Sequence, residues 1–166
     1  LTQPLVVTLL LADGAQQRFD ALRDRHFPAD RNHLQAHVTL FHAVPGEHLA
    51  AVRDDLGTAA DRPGFEVEVS GVRSLGGGVA FDLHSDDVTD LRTALARAWA
   101  PWLTRQDAQW KHPHVTVQNK VAPAAARALH ADLAAGFTPY AVPSVGLGLW
   151  RYEGGPWSPV ARYAFG

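Results

Sequence analysis

The chain contains no cysteine. Disulfides, thiolate nucleophiles and zinc–thiolate centres are therefore excluded, while the redox compartment is left open. An excess of charge is also missing: 15 Lys and Arg against 17 Asp and Glu give a formal net charge of −2. A protein that coats long nucleic acid by neutralising phosphates needs a strongly basic surface, so that class is set aside; a small local anion site is not. Long hydrophobic runs are lacking too. The longest, "PLVVTLLLA" at 4–12, is far too short to span a bilayer. No basic segment precedes it and no small-residue cleavage site stands out. It reads as a strand rather than a signal peptide, and a cytoplasmic protein without membrane partners is expected.

Signatures of several enzyme classes are absent as well. There is no HD dipeptide, no Walker A loop and no G-x-S-x-G elbow, and the "GGG" at 76–78 lacks the Lys and Ser/Thr of a phosphate loop. Metal phosphohydrolase, P-loop and serine-hydrolase chemistries have nothing to rest on. The "HPH" of His112 and His114 has no carboxylate beside it at ligand spacing, so neither a metal nor another cofactor is expected.

What is present is a chain of 166 residues, 46% hydrophobic and 19% charged, which suits one globular domain with a real core. Leu5–Leu11 reads as a buried strand, and Asp13 offers an N-cap for a helix with Ala15, Phe19 and Leu22 on one face. The loop "PADRNHLQ" leads to a strand at His37–Val44, and "PG" opens a second helix to about Ala60. "FEVEVSGV" alternates as a half-exposed strand should. Then the order recurs. After the GGG turn come the strand "VAFDLHS", a helix carrying Val88, Leu91, Leu95 and Trp99, the loop "TRQDAQWKH", a strand at His114–Val121 and a helix from Pro123 to about Ala135. Two aromatic strands around Gly154-Gly155 end the chain. From Leu5 to His37 is 32 residues, and from Val79 to His114 is 35. The expectation is an α+β fold, one domain over 1–166, with two antiparallel sheets in a bilobal arrangement around a cleft and helices on the outer faces.

Each half contains the word His-Val-Thr at the start of a strand: "HVTLFH" from His37 and "HVTVQN" from His114. Alternation places His37, Thr39 and Phe41 on one face and Val38, Leu40 and His42 on the other. In the second strand His114, Thr116 and Gln118 share a face opposite Val115 and Val117. With the valines in a core, the His/Thr sets face something polar. If both sets line one cleft, two imidazoles and two hydroxyls converge, which suits phosphodiester cleavage. The hydroxyls can donate to phosphoryl oxygens. One imidazole can take a proton from the attacking group while the other protonates the departing oxygen, because an unperturbed pKa of about 6.5 leaves both forms accessible. One H-x-T means little; two, at equivalent points of a repeated order, are far more specific.

The pair "HVTL" and "HVTV" in this layout resembles the two-histidine phosphoesterases, the superfamily that includes bacterial 2′-5′ RNA ligases and plant cyclic nucleotide phosphodiesterases. The resemblance implies a bilobal fold of pseudo-twofold symmetry and metal-independent hydrolysis of 2′,3′-cyclic phosphates of nucleotides or RNA ends, typically to 2′-phosphates. It puts the catalytic histidines at His37 and His114 and the phosphate-binding threonines at Thr39 and Thr116. His114 is assigned as base and His37 as acid, an assignment that pseudo-symmetry allows to be exchanged. The alternatives are 2′-5′ RNA joining and a nucleotide-binding module of the same fold without turnover. Several RNA ligase members carry an arginine soon after the second motif; here Gln118, Asn119 and Lys120 stand instead. Phe41, Gln118, Trp150 and Tyr152 are further candidates for contact with substrate, the aromatics by stacking. Nothing in the sequence demands more than a monomer.

Overall fold

The computed structural model describes residues 2–166. Seven strands form its framework: β1 (Leu5–Leu11), β2 (Val38–Val44), β3 (Phe65–Ser74), β4 (Val79–His84), β5 (His114–Gln118), β6 (Tyr140–Tyr152) and β7 (Trp157–Ala164). The helices are α1 (Asp13–His26), α2 (Leu49–Ala59), α3 (Asp86–Ala98), the single turn α4 (Arg105–Ala108) and α5 (Pro123–Ala135). The fold is α+β, as its alternating order of elements requires.

The strands make one antiparallel sheet, not two, in the order β2-β1-β6-β3-β4-β5, with β7 added on β6. The reason is the length of β6. Its first residues pair with β3 and the remainder pairs with β7 on the same edge, while the other edge takes β1. Matching β1 to β4, β2 to β5 and β3 to β6 makes the order read identically from either edge. β2 and β5 are the two ends of that order, yet they come within 8 Å of each other at Cα. The sheet therefore curls until its edges meet, as the right-handed twist of strands favours.

Register defines two kinds of cross-strand row, since directly paired residues present side chains on one face. Val115, Phe81 and Val72 form one row. Phe81 meets Phe19 of α1 at 5.5 Å and Phe137, just past α5, at 6.1 Å between ring centroids. The apolar face of the second half is thus covered by a helix from the first. Leu40, Phe41, Trp99, Leu147 and Leu149 are fully or almost fully buried in the same continuous core.

Three local details differ from the sequence expectation. Asp13 is the first residue of α1 rather than its cap, and Ala12 at the N-cap makes no side-chain bond. β5 stops at Gln118, because Asn119 Oδ1 accepts the Lys120 amide and Lys120 takes the left-handed φ of 63°. Within the loop "TRQDAQWKH", Thr104 caps α4 by accepting from the Asp107 amide.

Candidate active site

Thr39 pairs with Thr8, Thr8 with Gly148, and Gly148 with Arg162, so these four form one row across β2, β1, β6 and β7. In the second half Thr116 pairs with Ala80 and Ala80 with Arg73. Each motif threonine therefore shares a sheet face with an arginine two or three strands away. His37 precedes β2 with the parity of Thr39; His114 opens β5 and pairs with Asp82.

A β-bulge follows each threonine. The β1–β2 register passes from Thr8↔Thr39 to Val7↔Phe41, skipping Leu40, and the β4–β5 register passes from Ala80↔Thr116 to Val79↔Gln118, skipping Val117. An unpaired residue reverses the alternation beyond it. The His-x-Thr pair keeps one face, and whatever comes two residues later turns away from it.

Both imidazoles are held neutral near pH 7. Burial lowers the His37 pKa to about 4, with the Arg23, His114 and His42 charges adding to the effect against a backbone hydrogen bond that opposes it. That bond is Nδ1 to the Gln35 carbonyl at 2.8 Å. A carbonyl can only accept, so Nδ1 carries the hydrogen and Nε2 presents its lone pair. His114 is lowered by burial and by Arg73, while the His112 carbonyl and Asp82 act in the opposite sense. No hydrogen bond closes to that carbonyl, and Nδ1 of His114 is buried without a partner. His114 is among the groups whose charge acts on His37, the electrostatic mark of their proximity.

The two edge strands are held by elements of the opposite half. β2 is clasped by residues from α3 and the segment before His114. Arg92 Nε donates to the Leu40 carbonyl at 2.6 Å, Trp110 Nε1 donates to the Thr39 carbonyl at 3.1 Å, and the Asp107 carboxylate accepts the His42 and Ala43 amides at 2.8 and 2.9 Å. Asp107 is fully buried. Burial pushes its pKa up, but the hydrogen bonds from His42 and Ala43 outweigh that and the net shift is downward. β5 is reached by Arg23 of α1, whose Nη1 donates to the Thr116 carbonyl at 3.1 Å while Nε donates to Asn32 in the loop before His37 at 2.8 Å. Groups on each half thus fix the backbone of the other half's motif.

A sequence model of the 2′-5′ RNA ligase superfamily matches residues 11–156. The chain belongs to the 2′-5′ RNA ligase superfamily. Its fold is similar to that of TT0787 of Thermus thermophilus, at 15% identity over 98% of this chain and 97% of that one, with a TM-score of 0.69. It is also similar to E. coli LigT complexed with 3′-AMP, at 19% identity over 99% of each chain, with a TM-score of 0.63. At these identities the likeness is one of fold. No curated protein sequence matches the chain.

Within this superfamily member, the motif threonines lie in two equivalent rows, each with its histidine two residues before it, and the other candidates separate. Trp150 lines a cavity of about 290 Å³ beside His37. Phe41 does not face the cleft: it is wholly buried against Trp99 at 4.7 Å, with the Arg92 guanidinium 3.8 Å from its ring centroid. The bulge at Leu40 is the cause. Gln118 is buried beyond the equivalent bulge. Tyr152 stands 39% exposed at the end of the β6–β7 hairpin, outside the cavity lining. His42, read from parity as core-facing, is half-exposed and lies 3.0 Å from Asp107 through Nδ1. Sequence reasoning missed Arg23 and Arg92. Both lie on the apolar stripes of their helices, four residues after Phe19 and Val88 respectively, and a charge at a core-facing position was the available signal. Asp107, Arg73 and Arg162 carried no such signal. Among the described residues no group of three or more His, Asp or Glu is arranged to hold a metal ion, and no helix is long and apolar enough to cross a membrane.

Proposed function

We propose that this protein is a metal-independent phosphodiesterase that hydrolyses 2′,3′-cyclic phosphates of nucleotides or RNA ends to 2′-phosphates. It does so as one domain whose two lobes act about a pseudo-twofold axis on one phosphate. The observation that carries the reading is the pair of equivalent His-x-Thr rows, each ended by a bulge and brought together by the curl of one sheet. Superfamily membership supports it, as do the structures of the similarly folded E. coli LigT with 3′-AMP and with phosphate.

In this mechanism Thr39 and Thr116 donate to the non-bridging phosphoryl oxygens. His114 takes a proton from water as the water oxygen bonds to phosphorus. The P–O3′ bond breaks, and His37 gives a proton to O3′, leaving a 2′-phosphate and a free 3′-hydroxyl. His37 is neutral in the unliganded protein, so it gains its proton together with the phosphate anion, whose charge favours the imidazolium.

The test is incubation with each 2′,3′-cyclic nucleotide in excess chelator, with 2′- and 3′-monophosphates separated. Chelator-resistant release of the 2′-phosphate is expected. Failure to cleave either cyclic mononucleotides or RNA ends bearing the cyclic phosphate would sink the reading, and sealing of RNA ends in the same assay would favour joining over hydrolysis.

A further inference from the structure

The bulge that turns Phe41 into the core turns His42 out of it. Beyond Leu40 the β1–β2 register runs from Val7↔Phe41 to Leu5↔Val44, so His42 and Ala43 together oppose Val6. Val6 is two residues from Thr8 on β1 and shares its face, which is also the face of Thr39. Val6 in turn pairs with Trp150, whose indole fills the space above Gly148 and donates to Thr8 Oγ1 at 2.9 Å, walling that same face. Phe41 and Val44 are wholly buried on the opposite one. His42 is therefore a third imidazole on the face of His37 and Thr39. It stands one same-face step beyond Thr39, about 7 Å along a regular strand.

Its ring is aimed. Asp107 is fully buried, and one carboxylate oxygen accepts both the His42 amide at 2.8 Å and His42 Nδ1 at 3.0 Å, while the other accepts the Ala43 amide at 2.9 Å. The net pKa shift of that carboxylate is downward, so it is ionised and can only accept. Nδ1 therefore carries the hydrogen, and Nε2 is left on the side of the half-exposed ring away from Asp107. A protonated ring so held donates from Nε2 to an anion. The second half has no counterpart: five residues after His114 comes Asn119, past the end of β5, and its Oδ1 is taken by the Lys120 amide.

A phosphate held between His37, His114 and the two threonines belongs to a sugar whose next phosphate hangs from O5′. One strand step separates Thr39 from His42, and one ribose separates those two phosphates. We propose that His42, oriented by Asp107, recognises a second phosphate on the 5′ side of the nucleoside that carries the reacting one. The substrate class is then a nucleotide phosphorylated on both sides of its ribose, as a 5′-monophosphate or as the last internucleotide link of an RNA end. The proposal rests on the phosphodiesterase reading for the position of the first phosphate.

The experiment measures kcat/KM for adenosine 2′,3′-cyclic phosphate, for the same compound bearing a 5′-monophosphate, and for the dinucleotide ApA ending in a 2′,3′-cyclic phosphate. It is run in the wild type, His42→Asn and His42→Gln. Asn keeps a donor near the Nδ1 position and loses Nε2, whereas Gln places an amide near Nε2. The wild type is expected to favour a second phosphate about tenfold, the worth of one charge-assisted hydrogen bond. Preference for the 5′-monophosphate alone assigns the site to a terminal phosphate, and preference for both assigns it to the backbone of an RNA end. His42→Asn should bring the ratio of phosphorylated to plain substrate close to one, and His42→Gln should restore part of it. No preference in the wild type, or a ratio that survives in His42→Asn whatever the absolute rates, would overturn the subsite. Dissociation constants for adenosine 2′-monophosphate and adenosine 2′,5′-bisphosphate test it without turnover: their ratio should fall in His42→Asn, and an unmoved ratio refutes the subsite. Absence of turnover on all three substrates would instead count against the phosphodiesterase reading alone.

Discussion

The same three residues, His-Val-Thr, lead into β2 from His37 and open β5 at His114, and both strands bulge at the same point, yet they sit in different surroundings. The outer edge of β2 is held by four hydrogen bonds to Arg92, Trp110 and Asp107, whereas Arg23 makes the corresponding bond to β5. His37 is tied through Nδ1 to a carbonyl and packed on Trp157; His114 has an unpartnered Nδ1 and a charged neighbourhood of Arg73, Asp82 and His112. The repeat sets where the reactive groups stand. The residues around them, which are not repeated, make one end aromatic and the other ionic. If the proposed function holds, a near-symmetric frame would in this way handle a substrate whose two ends are chemically unlike.

Removing either imidazole tests whether the halves act as one site. His37→Ala and His114→Ala should each lower kcat by about 10²–10⁴-fold, the usual worth of general acid–base catalysis. The double variant should be little worse than the more damaged single one, because groups that act together are not additive. Near-normal turnover in both single variants, measured on cyclic nucleotides, would dissolve the comparison along with the mechanism.

The unequal clasps are broken next. Asp107→Ala leaves the His42 and Ala43 amides without their buried acceptor and should cost about 3–5 kcal/mol in urea unfolding, as removal of one partner from a buried charged network does. Arg23→Met removes bonds to Asn32 and to one carbonyl, and about 1–3 kcal/mol is expected. Equal losses would mean that the two edges are held alike after all.

A smaller effect is expected at the one-residue difference between the rows. Gly148→Ala pushes a methyl against Trp150 Nε1 and Thr8 Oγ1. It should cost about 1–3 kcal/mol as overpacking, with a changed near-ultraviolet dichroism from the displaced indole. An unaltered spectrum would argue against a built wall at that position.

The last comparison concerns pH. The His37 pKa is lowered to about 4 in the fold, against about 6.5 in an unfolded chain. Between those values the unfolded state binds more protons, so stability must fall as pH drops from about 6.5 toward 4. His37→Asn should flatten part of that slope, read as Tm against pH. Because His37 and His114 are both lowered, the kcat/KM optimum of the free enzyme should lie below pH 6.5. Arg23→Gln removes a positive charge that acts on His37 and should move one limb of the profile upward by a fraction of a unit, while Arg23→Lys should not. A profile unmoved by Arg23→Gln would separate the brace from the titration.

The order of strands and helices and the two His-x-Thr words were legible in the sequence, because hydrophobic period and short motifs are local properties of the chain. So was the superfamily resemblance that the words carry. The joining of all the strands into one sheet was not, since a strand such as β6 long enough to serve both halves is recognised only when its partners are known. Phe41 and Gln118 were misplaced for a related reason: alternation holds until a bulge, and a bulge is defined by the neighbouring strand rather than by its own residues. The clasp of Asp107 on β2 and the approach of Trp157 to His37 span 64 and more residues of sequence. Which groups could do chemistry, and that they come in two copies, follows from the order of residues alone. How the copies differ does not, because burial, charge and edge protection arise from residues brought together by the curl of the sheet.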